Sequence, residues 1–491
     1  MNLSEDPSVR RERPVQAEGR PTDPGGTGIS PPGKLASALG VTLETILLAY
    51  LVGTAAFTRD FAHLHLTVHG VPLFTGELAL LALSALAAAN LLLRRTRPLR
   101  LGFAGWALLA VLAAGALLAV RGLPTSPGLA VARDFALVYY GWFFFVTLAC
   151  LRSGGSSERL LGALLVGATI GALAESGRFL LSPALEWGHA TPGFHGMPGL
   201  TGVVLALAVV ALARSVAARC VAAVAAVVSS LEIYTTGYRT MLVVAAVAVA
   251  AASVRSLLTP GGTARRFARL LWAWTVLMAV LIAAPLVIAP SPPRVVPGNG
   301  PLALRDAFGS LSCRWTGQRF GARAQPLPLR APRDHGPDKW SGSVTFRLLV
   351  WRNAVARIER SPWLGIGFGS EAILFPAWNC DTVPSATSNC GAAHNTYLML
   401  AMRLGVPLAL LLCATLGWTL VRAAVSVLSG PDSAERSTTF VAALLLLSFL
   451  VFGTTGLLFE SPYLSSVVWV LAGIVAERTR PDAEDGVRAL S

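Results

Sequence analysis

Lysine is almost missing from this chain: of 491 residues only Lys34 and Lys339 supply it, and all charged residues together make up 13%. An ordinary soluble domain is about 25% charged, so this scarcity, with 54% hydrophobic residues and a mean hydropathy of +0.61, excludes that class. Also missing is the polar/apolar alternation of a membrane β-barrel. Apolarity is continuous instead, as in "LLALSALAAANLLL" and "VVLALAVVALA", and in hydrocarbon such runs satisfy their backbone as helices. No apolar h-region with a small-residue cleavage site lies near the start, so the first spanning helix is expected to direct insertion.

What is present is an all-α polytopic membrane protein of about 12 transmembrane helices, with a large extracytoplasmic loop domain between helices 9 and 10. Residues 1–35, rich in Pro, Gly, Arg and Glu, read as a disordered cytoplasmic tail. Helices 1 to 9 occupy 36–288, with spans expected at Ala38–Phe57, Val71–Leu93, Leu101–Val120, Phe135–Leu151, Leu160–Leu181, Pro198–Ala213, Cys220–Thr236, Thr240–Leu258 and Phe267–Ile288. The outer domain takes 289–393. Three more spans, His394–Val421, Thr438–Phe459 and Pro462–Glu477, fill 394–477, and 478–491 is a second cytoplasmic tail. Placing the amino terminus inside puts Arg94, Arg95, Arg97, Arg100, Arg152, Arg159, Arg255, Arg265, Arg266, Arg422, Arg478 and others in the cytoplasm. Only Arg59, Arg121, Arg133, Arg178 and Arg239 remain in the short outer loops. This is the positive-inside asymmetry of an inner-membrane, multi-pass protein. The net charge of +14 therefore reflects topology and anionic lipid and gives no reason to invoke nucleic acid.

Cys150, Cys220 and Cys413 fall inside expected helices as small buried hydrophobes. Cys313, Cys380 and Cys390 fall in the outer domain. Cys380 with Cys390 closes a short loop worth about 2 to 3 kcal/mol, Cys313 could pair with either, and one thiol is left over in each case. Every histidine is on the outer side. "HLHLTVH" puts His63, His65 and His69 on one face of an extended segment, but no carboxylate or thiol is spaced to complete a metal site.

Ionisable residues at membrane depth are functional candidates: Glu44, Glu77, Glu175, Arg178, Glu232, Arg239 and Arg403, with Glu460 at an outer helix end. Glu175 and Arg178 share a helical face and can neutralise each other. Arg239, in the turn "TTGYRTML", either snorkels to headgroups or faces a cavity as an anion site. "TFRLLVWRNAVARIERSPWLGIGFG" carries helical periodicity through Phe346, Leu349, Val350, Val355 and Ile358 and is expected to lie near the membrane surface. The "GIGFG" that follows, without a Walker lysine, reads as a structural turn. In "GAAHNTYLMLAMRLGVPLALL", His394 is expected to open helix 10. The positive end of a helix disfavours imidazolium and keeps the ring able to accept a proton. Tyr397 is expected on the same face, and Gly405 with Pro407 loosens the helix further down.

"RLLVWRNAVARIERSPWLGIGFGS" followed by "AHNTYLMLAMRLG" resembles the signature of the O-antigen ligase and polymerase superfamily, polytopic glycosyltransferases acting on lipid-linked glycans outside the cytoplasm. "GYRTM" resembles that family's turn carrying an essential arginine. The resemblance implies that His394 is catalytic and that Arg239 and Arg347 bind diphosphate, with Asn395, Tyr397, Arg352 and Arg403 in support. It also implies that no metal, nucleotide or other cofactor is needed. The implied partners are a polyprenyl diphosphate-linked glycan donor, a glycan or glycolipid acceptor, and membrane lipid. Two positions depart from the pattern: Arg403 stands where the family often has an acidic residue, and Tyr238 where it usually has serine. A polymerase extending the glycan on its carrier fits the same motifs, and a non-enzymatic polysaccharide or lipid transporter fits the helix count.

The orientation predicts that, in a Cys-free background, Gly336→Cys reacts with an impermeant thiol reagent on intact cells and Arg265→Cys does not. Equal labelling at the two positions overturns it.

Overall fold

The computed structural model describes residues 33–68, 71–94, 101–181, 196–213, 215–236, 240–258, 262–288, 339–369, 393–429 and 433–480. The first half is a run of helices: α1 (Lys34–His63), α2 (Thr75–Arg94), α3 (Phe103–Gly122), α4 (Gly128–Tyr139), α5 (Trp142–Arg152), α6 (Ser157–Leu181), α7 (Gly196–Leu212), α8 (Val216–Thr236), α9 (Thr240–Leu258) and α10 (Gly262–Ile288). The second half holds α11 (Lys339–Arg360), α12 (Thr396–Leu404), α13 (Val406–Leu428), α14 (Ala434–Phe452) and α15 (Pro462–Arg478). Among the described residues eight helices are long and apolar enough to cross a bilayer, or nine if the bent pair α4 and α5 counts as one span. The chain is thus a multi-pass helical membrane protein.

Three expected elements come out differently. The second span begins at Thr75 rather than Val71, because Val71–Phe74 is a strand (β2) paired antiparallel with β1 (His65–Val68), so the chain is not purely helical. The fourth span starts earlier, at Gly128, and is two helices meeting at 47° around Tyr140 and Gly141. The tenth span is also two helices. Gly405, at φ 83° and ψ 161°, sits between α12 and α13, and Pro407 in the first turn of α13 has no amide to continue the ladder.

Packing explains the order of the bundle. Gly167 and Gly171 on α6 let that helix lie on α1, since a Cβ at either would come within 2.7 Å of the Val52 or Ala56 carbonyl. α15 is buried along most of its length, from Tyr463 to Val475, packed chiefly against α5, α14, α13 and α1.

Three of the arginines assigned to the cytoplasm, Arg152, Arg159 and Arg478, meet at one end of the bundle. Arg152 pairs with Glu477 at 2.8 Å, Arg159 with Glu44 at 3.1 Å, and Arg478 with Glu158 at 3.2 Å and also with Glu435. Glu44, a candidate for function at membrane depth, is thus a structural partner that also accepts from the Ser156 amide at 2.8 Å. Arg255 is buried at the end of α9, donates to Ser437 Oγ at 3.2 Å and lies 4.5 Å from the Phe440 ring centre. Of the cysteines expected to be buried, Cys150 is, Cys413 is half-buried, and Cys220 is exposed on α8. Cys313, Cys380 and Cys390 lie outside the described residues.

Gly405→Ala should be strongly destabilising. Its φ is left-handed, and a Cβ there would stand 2.3 Å from the Trp363 carbonyl oxygen; strain of this kind costs about 1 to 3 kcal/mol before the clash is added. In detergent the variant should melt well below the parent. Gly417→Ala, on α13 where a Cβ meets open space, should melt with it or slightly above. Equal melting of both variants would contradict this account of the break.

Candidate functional site

The motif that precedes the glycine-rich turn forms α11, and its periodicity sorts the helix into two faces. Arg347, Val350, Trp351, Ala354 and Ile358 recur at helical spacing; Val350 and Ala354 are fully buried, and Trp351 and Ile358 pack against the core. The Trp351 indole donates to the Ala393 carbonyl at 2.9 Å, so α11 grips the residue just before His394. This single bond joins two motifs more than forty residues apart.

His394 does not begin the helix. α12 starts at Thr396, and Asn395 is its N-cap, its Oδ1 accepting from the amides of Tyr397 at 3.0 Å and Leu398 at 3.1 Å. His394 sits just before that cap at φ 47°, a left-handed conformation that a non-glycine residue keeps only where its surroundings hold it. They do so on both sides. Ahead of it is the Trp351 bond. Behind it, Thr396 donates its amide to Gly453 O at 2.9 Å and its hydroxyl to Glu460 Oε2 at 2.9 Å, while its oxygen accepts from the Leu458 amide at 2.7 Å. Tyr397 donates to Leu450 O at 2.6 Å, so it ties α12 to α14.

The electrostatics follow from this placement. Burial lowers the His394 pKa below its ordinary value, and the nearby Arg347 guanidinium lowers it further, so the ring is neutral at neutral pH. The Glu460 carboxyl is pushed up to about 7, chiefly by burial, against the Thr396 hydrogen bond and the Arg403 charge.

The far end of α12 is locked as firmly. Arg403 is buried and bridges Asp134 Oδ2 of α4 at 3.0 Å and the Gly367 carbonyl at 3.1 Å, and Asp134 also accepts the Gly369 amide at 2.9 Å. The glycine-rich turn spends its amides internally: Gly365 on Ser361 O, Ile366 on Met402 O, and Gly367 on Arg403 O. It is therefore a structural plug for the broken helix and leaves no cradle of free amides for phosphate. A cleft of about 200 Å³ remains between this turn and the end of α3, with Arg121 and Thr125 on its wall.

The structure thus brings Arg347, His394 and Asn395 together and uses Tyr397 and Arg403 as ties. Arg352 is exposed, about 140° round α11 from Arg347. Arg239 and Tyr238 lie outside the described residues, in the turn from α8 to α9, as do the side chain of Arg178 and all of His69. His63 ends α1 and His65 opens β1, and among the described residues no group of three His, Cys, Asp or Glu could hold a metal. Two contributors escaped the sequence reading. Asp134 fell one residue short of the expected span, and Thr396 has no charge to draw attention. Glu460 was singled out only as a residue at a helix end. Compared with known proteins, the chain matches no protein-family model and no curated protein sequence.

Asp134→Asn should strand the buried Arg403 cation and lower stability by about 3 kcal/mol, the penalty for halving a buried ion pair. Adding Arg403→Met should recover part of the lost melting temperature. A single variant as stable as the parent would mean that the pair contributes nothing to locking α12.

Proposed function

We propose that the chain is a membrane glycosyltransferase of the O-antigen ligase type, moving a glycan from a polyprenyl diphosphate carrier to an acceptor sugar on the outer face of the membrane. The observation that carries this reading is the Trp351–Ala393 bond, which fastens the helix bearing Arg347 to the conformationally held His394, whose burial keeps its ring neutral. His394 and Arg347 are the two residues that the motif resemblance marks as base and anion site.

In this reading the donor enters sideways between helices, and its diphosphate rests at headgroup depth. His394 takes the proton from the acceptor hydroxyl while that oxygen forms a bond to the anomeric carbon from the face opposite the leaving group. The bond from the anomeric carbon to the diphosphate oxygen breaks, and its electron pair leaves with the diphosphate, so the centre inverts. Arg347 and Arg239 offset the charge that collects on the leaving group, through guanidinium forks that match phosphate oxygens. A polymerase that uses a second lipid-linked glycan as acceptor would use the same residues in the same roles. The rival reading is a carrier, and it draws on the broken α4–α5 span. There Glu77, near the start of α2, accepts the hydroxyls of Tyr139 and Tyr140, and ionisable groups at a discontinuous helix recur in transporters.

The test is transfer by purified protein in liposomes, given lipid-linked glycan and candidate acceptors, with donor binding measured alongside. His394→Ala should still bind donor while transfer falls about 10²- to 10⁴-fold, the usual share of a general base. Glutamine at the same position should not rescue it. Because the His394 pKa is lowered, its base form persists as pH falls and is lost only below the ordinary value of 6.5, so the acidic limb of the rate lies below that pH. Arg347→Gln removes the opposing charge and should move the limb upward. Full transfer by His394→Ala at normal expression removes this residue from the mechanism. Glycan crossing an intact bilayer without covalent transfer establishes the carrier.

A further inference from the structure

Between α1 and α2 the chain builds a feature that the proposed reaction does not use. Lys34–Thr58 is a 25-residue apolar helix, about 37 Å long and so longer than the roughly 30 Å of hydrocarbon it must cross. Thr58 therefore stands at headgroup depth. It has φ 41° and ψ −113°, non-helical values in the left-handed half of the map, and there the chain doubles back. The Phe61 ring lies 5.9 Å from the Tyr50 ring centre to centre, and a Cβ on Gly53 would stand 2.7 Å from it. In a straight helix residues eleven apart are about 16 Å apart. The last turn of α1 is thus folded back along its own helix, towards the bilayer.

The hairpin β1–β2 leaves from that folded-back end, and its neck is fastened. The Thr75 amide and hydroxyl both donate to Leu64 O at 2.9 Å, with Phe61 O also 2.9 Å from the hydroxyl. The rings of His63 and His65 meet Phe74. Register pairs Leu66 with Leu73 and Val68 with Val71, which gathers four aliphatic side chains on one face, while His65, Thr67, Pro72 and Phe74 take the other. On the aliphatic face Leu66 is 61% exposed and Val68 and Val71 are 47% each, while Leu73 is half-buried. On the helices it joins, Phe57 of α1 and Leu81 of α2 are also exposed.

We infer that this hairpin is an interfacial anchor whose Leu66–Val68–Val71–Leu73 face lies in the adjacent leaflet, with the His65–Thr67 face towards the headgroups. A strained backbone at Thr58, a neck bonded to two carbonyls and a row of exposed aliphatic side chains all serve that placement. The membrane is the occupant within reach at that depth. The strand edges, which hydrocarbon would not tolerate, remain at headgroup level, where water reaches them.

The experiment places single spin labels at Leu66→Cys, Val71→Cys and Thr67→Cys in a Cys-free full-length chain. The protein is reconstituted into vesicles of phosphatidylethanolamine and phosphatidylglycerol, and collision with oxygen is compared with collision with a water-soluble nickel chelate. Labels at 66 and 71 should favour oxygen severalfold over the label at 67, alternating with the register. Two outcomes overturn the inference. Nickel access at 66 and 71 would put the face in water, and protection from both colliders would mean that protein covers it. Val68→Cys provides a third reading of the same face if a label at 66 or 71 disturbs the hairpin, which its elution in size exclusion would reveal.

Discussion

A helix that breaks inside a low-dielectric bundle releases carbonyls and amides that water cannot reach, and each must find a partner within the protein. The placement of His394 depends on how this is met at Gly405. The carbonyls of Met402 and Arg403 take the amides of Ile366 and Gly367, and the Val406 amide takes the Pro362 carbonyl at 2.7 Å. The turn that follows α11 is therefore part of the α12–α13 junction. Because α11 and this turn are one continuous segment, plugging the break also sets where Arg347 and Trp351 stand relative to the start of α12.

Polar groups are sorted along the membrane normal by the same cost. At one end, Arg152, Arg159 and Arg478 join five helix ends through carboxylates supplied by α1, α6, α14 and α15. Away from that end, buried charges tie irregular segments to helices. Asp134 and Arg403 cross-link α4, α12 and the glycine-rich turn, and Glu460 accepts from Thr396. The first set closes the bundle where water is near. The second holds irregular backbone in place, which is what a site at the membrane surface needs.

Irregular backbone is concentrated away from the arginine-rich end: the reversal at Thr58, the bend at Tyr140 and Gly141, the left-handed His394 and the glycine break at 405. The bend at Tyr140 and Gly141 and the break at Gly405 interrupt apolar runs that composition alone would extend as one helix, while Thr58 and His394 lie at the edges of such runs. At each of these places a contact from elsewhere in the fold holds the interrupted backbone. At Thr58 this is the ring of Phe61 on Tyr50, at the α4–α5 bend the tyrosine hydroxyls on Glu77, and at His394 the Trp351 and Thr396 bonds.

By itself the sequence determined that this is a helical membrane protein, because continuous apolar runs leave the backbone no other solution in lipid. It also determined that the segment after Phe346 would form a helix, a property of local composition and periodicity. Only the tertiary structure decided that His394 precedes its helix, that Arg403 answers to Asp134 across 269 positions, and that an apparent span is a bent pair. Periodicity reports the face a residue takes on its own helix and carries no information about which distant donor or acceptor will meet it. Once burial makes an unmet polar group costly, that choice is made by the whole bundle.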